Sequence, residues 1–219
     1  MKKELILILG NTGSGKSTLA KSLKWVHGYN VTVPYTTRPP REGEVDGVDY
    51  MFVTNAFFND FAGIFDAFSI YAGNRYGIKI NPDVSKQVIV CDATMYSSII
   101  NSKYINDDFN ITTVWLKPDD EVLLYRCILR GDDSTKSYDR IIENGQELRS
   151  LFEEYRPDLI FSTPMHVKDI SRTINKVVDD SMLKTLSVGF INNSLDEIAK
   201  FTYDLTLYLI EKSKRKGDN

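Results

Sequence analysis

The sequence predicts an α/β fold, a parallel sheet flanked by helices with a small inserted lobe, and three observations carry that expectation. Short apolar runs alternate with segments of helical period, the pattern of strands joined by crossover helices. The first of these runs leads straight into a glycine-rich loop and then into a helical pattern. Residues 50–76 break the alternation, being rich in aromatics with strand-like pieces and turns, and read as a lobe outside the main sheet.

Taken in order, "LILIL" at 5–9 is the first core strand, far too short to cross a bilayer, so no membrane association is expected. A helix opens near Lys16. "VIVC" (88–91), "TTVWL" (112–116) and "DLIF" (158–161) are the remaining core strands. After the third of these four, Pro118 with Asp119, Asp120 and Glu121 marks a helix N-terminus, and Gly131 closes that helix. Arg126 and Arg130, four apart, share one of its faces. The spacing of Tyr138, Ile141, Ile142, Leu148, Leu151, Phe152 and Tyr155 predicts a helix over 136–155, stopped by Pro157 and weakened in its middle by Gly145. Ser194 and Glu197 stand in capping-box spacing before Leu195, Ile198, Phe201, Leu205 and Leu209, which predicts a packing helix near the end. Its basic tail, "KSKRKGDN", reads as a solvated terminus.

Composition narrows the function. The 219 residues carry a net charge of −3, which provides no basic field for nucleic acid. Cys91 and Cys127 lie in apolar surroundings and read as reduced core thiols, so a cytoplasmic location is expected. With His27 and His166 the only histidines, a dedicated transition-metal site is not expected.

"GNTGSGKST" at 10–18 matches the phosphate-loop spacing of glycine, four residues, glycine, lysine and a hydroxyl residue, between a strand and a helix. Glycines there let backbone N–H groups curl around phosphate oxygens at a positive helix end. Asn11, Thr12, Gly13, Ser14, Gly15, Lys16, Ser17 and Thr18 are the expected ATP-binding residues. Lys16 would reach the β and γ phosphates, and Ser17 would ligate Mg²⁺.

"TTRPPREGEVDGVDYMFV", beginning at Thr36, supplies a second cluster of anion-binding groups. Two planar guanidinium groups, Arg38 and Arg41, suit a phosphate dianion, and Pro39 and Pro40 stiffen the backbone between them. The competing reading pairs these arginines with Glu42 and Glu44 as surface ion pairs, and the tyrosines nearby with core packing. Together with "GNRYG" (73–77) and "RCILRGDDS" (126–134), the stretch resembles the guanylate kinases over residues 4 to about 180.

That resemblance implies a P-loop NTPase-type sheet with a nucleoside-monophosphate-binding lobe and a helical lid. The implied division is a domain over 1–185 (core 1–34, 82–125 and 141–185; lobe 35–81; lid 126–140) and a C-terminal helical extension over 186–219. It implies ATP-dependent phosphorylation of GMP or dGMP with Mg²⁺, by a monomer or homodimer. Arg38, Arg41, Tyr50 and Tyr76 would hold the acceptor phosphate, and Lys16, Arg126, Arg130 and Arg140 the transferring group. Asp92 corresponds to a family aspartate near the base, with Thr94 where a second is usual. The family's guanine-reading glutamate corresponds to Asp66 if one residue is inserted before Gly73, or else to Ala67. Two further base-reading hydroxyls are replaced by Pro34 and Ile78, and only "INPDVSKQ" stands where a helix is usual. Those departures keep open a different phosphorylated acceptor, another nucleotide or a ribose bisphosphate. A non-catalytic phosphopeptide-binding module is the other alternative.

Overall fold

The computed structural model describes residues 2–129 and 131–161. The expected helix near the C-terminus, the extension over 186–219, the part of the core beyond 161 and Arg130 all lie outside the described residues.

The chain opens with β1 (Lys3–Gly10), α1 (Lys16–His27), β2 (Asn30–Val31), β3 (Tyr35–Thr36) and β4 (Met51–Phe52). There follow α2 (Asn55–Phe61), a 3₁₀ turn (Ala62–Ile64), β5 (Ala67–Tyr71), β6 (Asn74–Ile78) and β7 (Lys86–Val90). Then come α3 (Ala93–Ile100), α4 (Lys103–Asp108), β8 (Phe109–Leu116), α5 (Asp120–Leu129), α6 (Ser134–Glu154) and β9 (Leu159–Phe161).

Among the described residues the main sheet has the order β2-β7-β1-β8-β9, and every pairing is parallel. Its central strand explains the sequence signal. Leu5 to Leu9 are fully buried, because a parallel strand covered on both faces must be apolar at every position. Leu5, Leu7 and Leu9 join a core with Met95, Tyr96 and Ile99 of α3 and Leu148 and Phe152 of α6. Alternation turns Ile6 and Ile8 to the other face. There α1, with Leu19, Ala20 and Leu23 buried, packs against β1 and β7. Each such aliphatic side chain contributes roughly 1.5–3 kcal/mol on burial.

α6 runs unbroken through Gly145, capped by Asp133, whose side chain accepts from the Lys136 N–H at 2.8 Å. The short connection before β7 contains no helix. It is tied down by the fully buried Gln87, whose Nε2 donates to the Asn81 carbonyl at 2.7 Å while its Oε1 accepts from Asn81 N–H at 3.1 Å. Both cysteines are buried and neither forms a disulfide, and burial pushes the Cys91 thiol far above its usual range.

Residues 35–78 supply a second sheet in the order β4-β3-β6-β5, in which β6 is antiparallel to both neighbours. The β5–β6 hairpin closes through Ala72 and Gly73, at φ 49° and 75°. A positive φ at both central residues is the twist a two-residue hairpin needs. Phe57, Phe58, Phe61 and Phe65 stack beneath this sheet with Tyr35. That stack is the aromatic signal visible in the sequence.

Candidate functional site

The carboxyl end of β1 runs through Gly10 into a loop over 11–15 that leads into α1, and its glycines are a steric necessity. A Cβ on Gly10 (φ 153°) would sit 2.5 Å from the Leu116 carbonyl oxygen, and one on Gly13 (φ 76°) 3.0 Å from that of Leu123. Gly15, at φ 94°, turns the chain into α1 and leaves its first N–H groups without a side-chain cap. Uncapped donors at a positive helix end suit an anion. Lys16 Nζ lies over the loop, donating to the Gly10 and Asn11 carbonyls at 2.7 and 2.8 Å.

Thr12, Gly13, Ser14, Gly15, Lys16, Ser17 and Thr18 border one cavity of about 840 Å³. Asn11 does not. It turns inward and donates from Nδ2 to the Ile141 carbonyl of α6 at 3.1 Å. A Cβ at Gly145 would lie 3.3 Å from that same Nδ2, so the mid-helix glycine is where the loop and α6 approach each other.

The same cavity reaches Arg38, Arg41, Tyr50 and Tyr76. Arg38 Nη2 is 2.8 Å from Glu44 Oε1, and Arg41 N–H donates to Glu44 Oε2 at 2.7 Å. One carboxylate therefore holds the segment bearing both arginines. Burial disfavours the Glu44 carboxylate, but the Arg38 hydrogen bond, the Arg41 N–H and both positive charges outweigh it and hold its pKa below the usual range. For Arg38 burial opposes the charge, and Glu44 reverses that, so its pKa is raised. The guanidinium stacks over Tyr50 at 5.1 Å, and Tyr50 meets Tyr76 edge-on at 6.3 Å. Burial pushes the Tyr50 pKa up, with Arg38 opposing, so its hydroxyl stays a donor at neutral pH. Arg41 lines the cavity and makes no ion pair among the described residues. The competing ion-pair reading is thus met for Arg38 with Glu44 alone. Only 13% and 18% of the two side chains are exposed, and Arg38 borders the cavity. Asp46 and Asp49 bind backbone instead, Asp46 accepting from Phe52 N–H at 2.9 Å and Asp49 from Val45 N–H at 3.0 Å, and Asp49 also pairs with Lys21 Nζ at 3.4 Å.

Between these two ends, Asp92 follows β7 and caps α3, accepting from Met95 N–H at 2.8 Å and from Ser69 Oγ at 2.5 Å. Asp92, Thr94 and Ser69 all border the cavity. Arg126 reaches the loop, its Nη1 donating to the Gly13 carbonyl at 3.2 Å. Arg140 stands beside Tyr71, whose hydroxyl bonds Asn144, and is not in the cavity wall.

A guanylate kinase family profile matches residues 2–179. The chain belongs to the guanylate kinase family. A guanylate kinase of Gloeobacter violaceus is 30% identical over 156 residues, 69% of this chain and 76% of its own length. One of Streptococcus agalactiae is 32% identical over 160 residues, 69% and 75% of the two chains. The crystal structure of guanylate kinase from Anaplasma phagocytophilum superposes with a TM-score of 0.61 at 21% identity, covering 81% of this chain and 86% of that one. At that identity the superposition speaks for the fold.

Within this guanylate kinase fold, Asp66 stands apart from the cavity lining. Its Oδ2 accepts from Ile80 N–H at 2.6 Å and lies 3.6 Å from Lys79 Nζ, and it does not border the cavity. The hairpin is closed by two residues, so the register pairs Ala67 directly with Ile78, and both are buried. Asp66 consequently falls one residue out of phase, and a one-residue step in a strand changes the face. Sequence reasoning passed over Ser69, Asn144 and Glu147. The helical spacing of Arg140, Asn144 and Glu147 would have placed the last two on one face of α6. Ser69 carries no local signal.

Proposed function

We propose that the chain transfers the γ-phosphoryl group of ATP to GMP or dGMP, giving ADP and the nucleoside diphosphate. The observation that carries this reading is a single 840 Å³ cavity with the phosphate loop at one end and Arg38, Arg41, Tyr50 and Tyr76 at the other. Two clusters of anion-binding groups on one cavity suit a donor and an acceptor that both carry phosphate. Residues 35–81 would serve as the acceptor lobe and 126–140 as the lid.

Phosphoryl transfer needs positioning and charge neutralisation more than acid–base chemistry. An acceptor phosphate, with a second pKa of about 6, is already a nucleophilic oxyanion at neutral pH. Arg38 and Arg41 would fix it by forked donors, and the Tyr50 and Tyr76 hydroxyls would add single ones. Loop N–H groups and Lys16 would hold the donor phosphates. Arg126, which already donates to the Gly13 carbonyl of the loop, would hold the transferring phosphoryl group. An arginine in that role is worth about 10³–10⁵ in rate, ~4–7 kcal/mol.

The donor set fits Mg²⁺: Ser17 borders the cavity, and among the described residues no group of three or more His, Cys, Asp or Glu is placed to hold a metal ion by itself. That suits an ion held chiefly by substrate phosphates with one hydroxyl from the protein. When bound, it would neutralise charge on the bridging phosphate oxygens.

The test is a coupled assay of ADP formation with ATP, Mg²⁺ and a panel of GMP, dGMP, AMP and UMP. GMP and dGMP should be turned over by the wild type and not by Lys16→Ala. A folded wild-type protein inert towards all four acceptors refutes the proposal.

A further inference from the structure

Guanine presents two donors side by side, N1–H and the 2-amino group. A wall that selects guanine must therefore offer acceptors, and one carboxylate can answer both. The strand side of the cavity offers none at the positions first expected. Asp66 is tied to Ile80 and Lys79, Ala67 and Ile78 form a buried apolar pair, and Pro34 has no polar side-chain atom. Two carboxylates do border the cavity, Asp92 and Glu147. Both oxygens of Asp92 already accept hydrogen bonds, from Met95 N–H and Ser69 Oγ.

Glu147 is different. It stands on α6, across from the strands, and makes no hydrogen bond or ion pair among the described residues. One turn earlier, Asn144 bonds the hydroxyl of Tyr71 in β5, which pins this part of α6 to the lobe sheet. Burial, and then the charge of Asp92, push the Glu147 pKa up. A carboxylate so placed borders the cavity without a protein partner among the described residues, and a ligand carrying N–H donors would supply one.

We propose that Glu147 is a specificity-determining residue that reads the acceptor's base, accepting hydrogen bonds from N1–H and the 2-amino group of guanine. This rests on GMP or dGMP being the acceptor. A carboxylate on the lid-side helix would then replace the one missing from the strand wall, and base recognition would be linked to the position of α6.

The test compares GMP with inosine monophosphate, which keeps N1–H and lacks the 2-amino group, in wild type, Glu147→Gln and Glu147→Asp. The wild type should prefer GMP. In Glu147→Gln an amide donor faces the base donors, so kcat/KM for GMP should fall about ten- to a hundredfold, mainly through KM. The inosine nucleotide, with one donor fewer, should lose less, so the preference shrinks by about tenfold. Glu147→Asp, which keeps the charge, should recover part of it. Equilibrium binding of GMP without ATP should follow the same order. An unchanged GMP-to-inosine ratio in Glu147→Gln, or an equal fall in kcat for both acceptors, overturns the assignment. A wild type inert towards GMP overturns both this assignment and the acceptor reading beneath it, which separates the two failures.

Discussion

Replacing Glu44 by glutamine preserves the shape of the arginine clamp and removes the charge that organises it. In the wild type its two oxygens serve two donors, Arg38 Nη2 at 2.8 Å and Arg41 N–H at 2.7 Å. Glutamine keeps one acceptor and turns an NH₂ group towards the other donor. A hydrogen bond to a charged group contributes about 1.5–3 kcal/mol. Both side chains keep some exposure, so solvent screening lowers the expected loss to about 1–2 kcal/mol. For a domain of this size that is a fall in Tm of roughly 2–8 °C.

The pH dependence follows from the direction of the shift. The folded pKa of Glu44 lies below its unfolded value, so the contribution is fully present above the unfolded pKa of about 4.3. It is lost as the pH falls through the folded value. The Tm difference between wild type and Glu44→Gln should therefore be constant from pH 6 to 8 and shrink below about pH 4. Release of Arg38 from its anchor should also raise KM for the acceptor by about tenfold, with a smaller change in kcat. Thermal unfolding at several pH values and acceptor kinetics at pH 7.5 measure both. A Tm difference that persists undiminished at pH 3, or an acceptor KM that does not move, refutes the clamp as described.

Gly10→Ala should be among the most damaging substitutions in the loop, because its Cβ would meet the Leu116 carbonyl at 2.5 Å in a backbone conformation that disfavours side chains; a loss of about 1–3 kcal/mol is expected in denaturant melts. Arg126→Ala should lower kcat by about 10³ or more with little change in acceptor KM, as single-turnover measurements would reveal. Ala72→Asn should raise stability by about 0.5–1 kcal/mol, since asparagine tolerates the positive φ of the hairpin turn and forms the favoured Asn-Gly pair. A lower Tm in that last variant would refute the turn assignment.

By itself, the sequence determined the features that are local. A parallel strand buried on both faces is apolar throughout, so β1 was visible as "LILIL". A phosphate loop requires glycines where carbonyls crowd in, and the spacing from Gly10 to Ser17 records that need. Arg38 and Arg41 lie three residues apart on one stiffened segment, so their partnership was legible as well. Short elements such as β2 and α4 were not, because two to six residues carry too little periodicity.

Only the tertiary structure decided what depends on distant residues. Whether Asp66 faces the cavity turned on a two-residue hairpin, since one step of register reverses a strand's faces. Gly145 read as a weak point in a helix until Asn11, 134 positions earlier in the chain, proved to pack against it. Glu44 read as a rival claimant for the arginines, and the fold instead makes it their common anchor, because a largely buried carboxylate needs donors and these two are the ones it is given. Glu147 acquired its significance in the same way. A carboxylate on a helix face is unremarked in sequence, and the cavity shared with Asp92 is what makes it chemically distinctive.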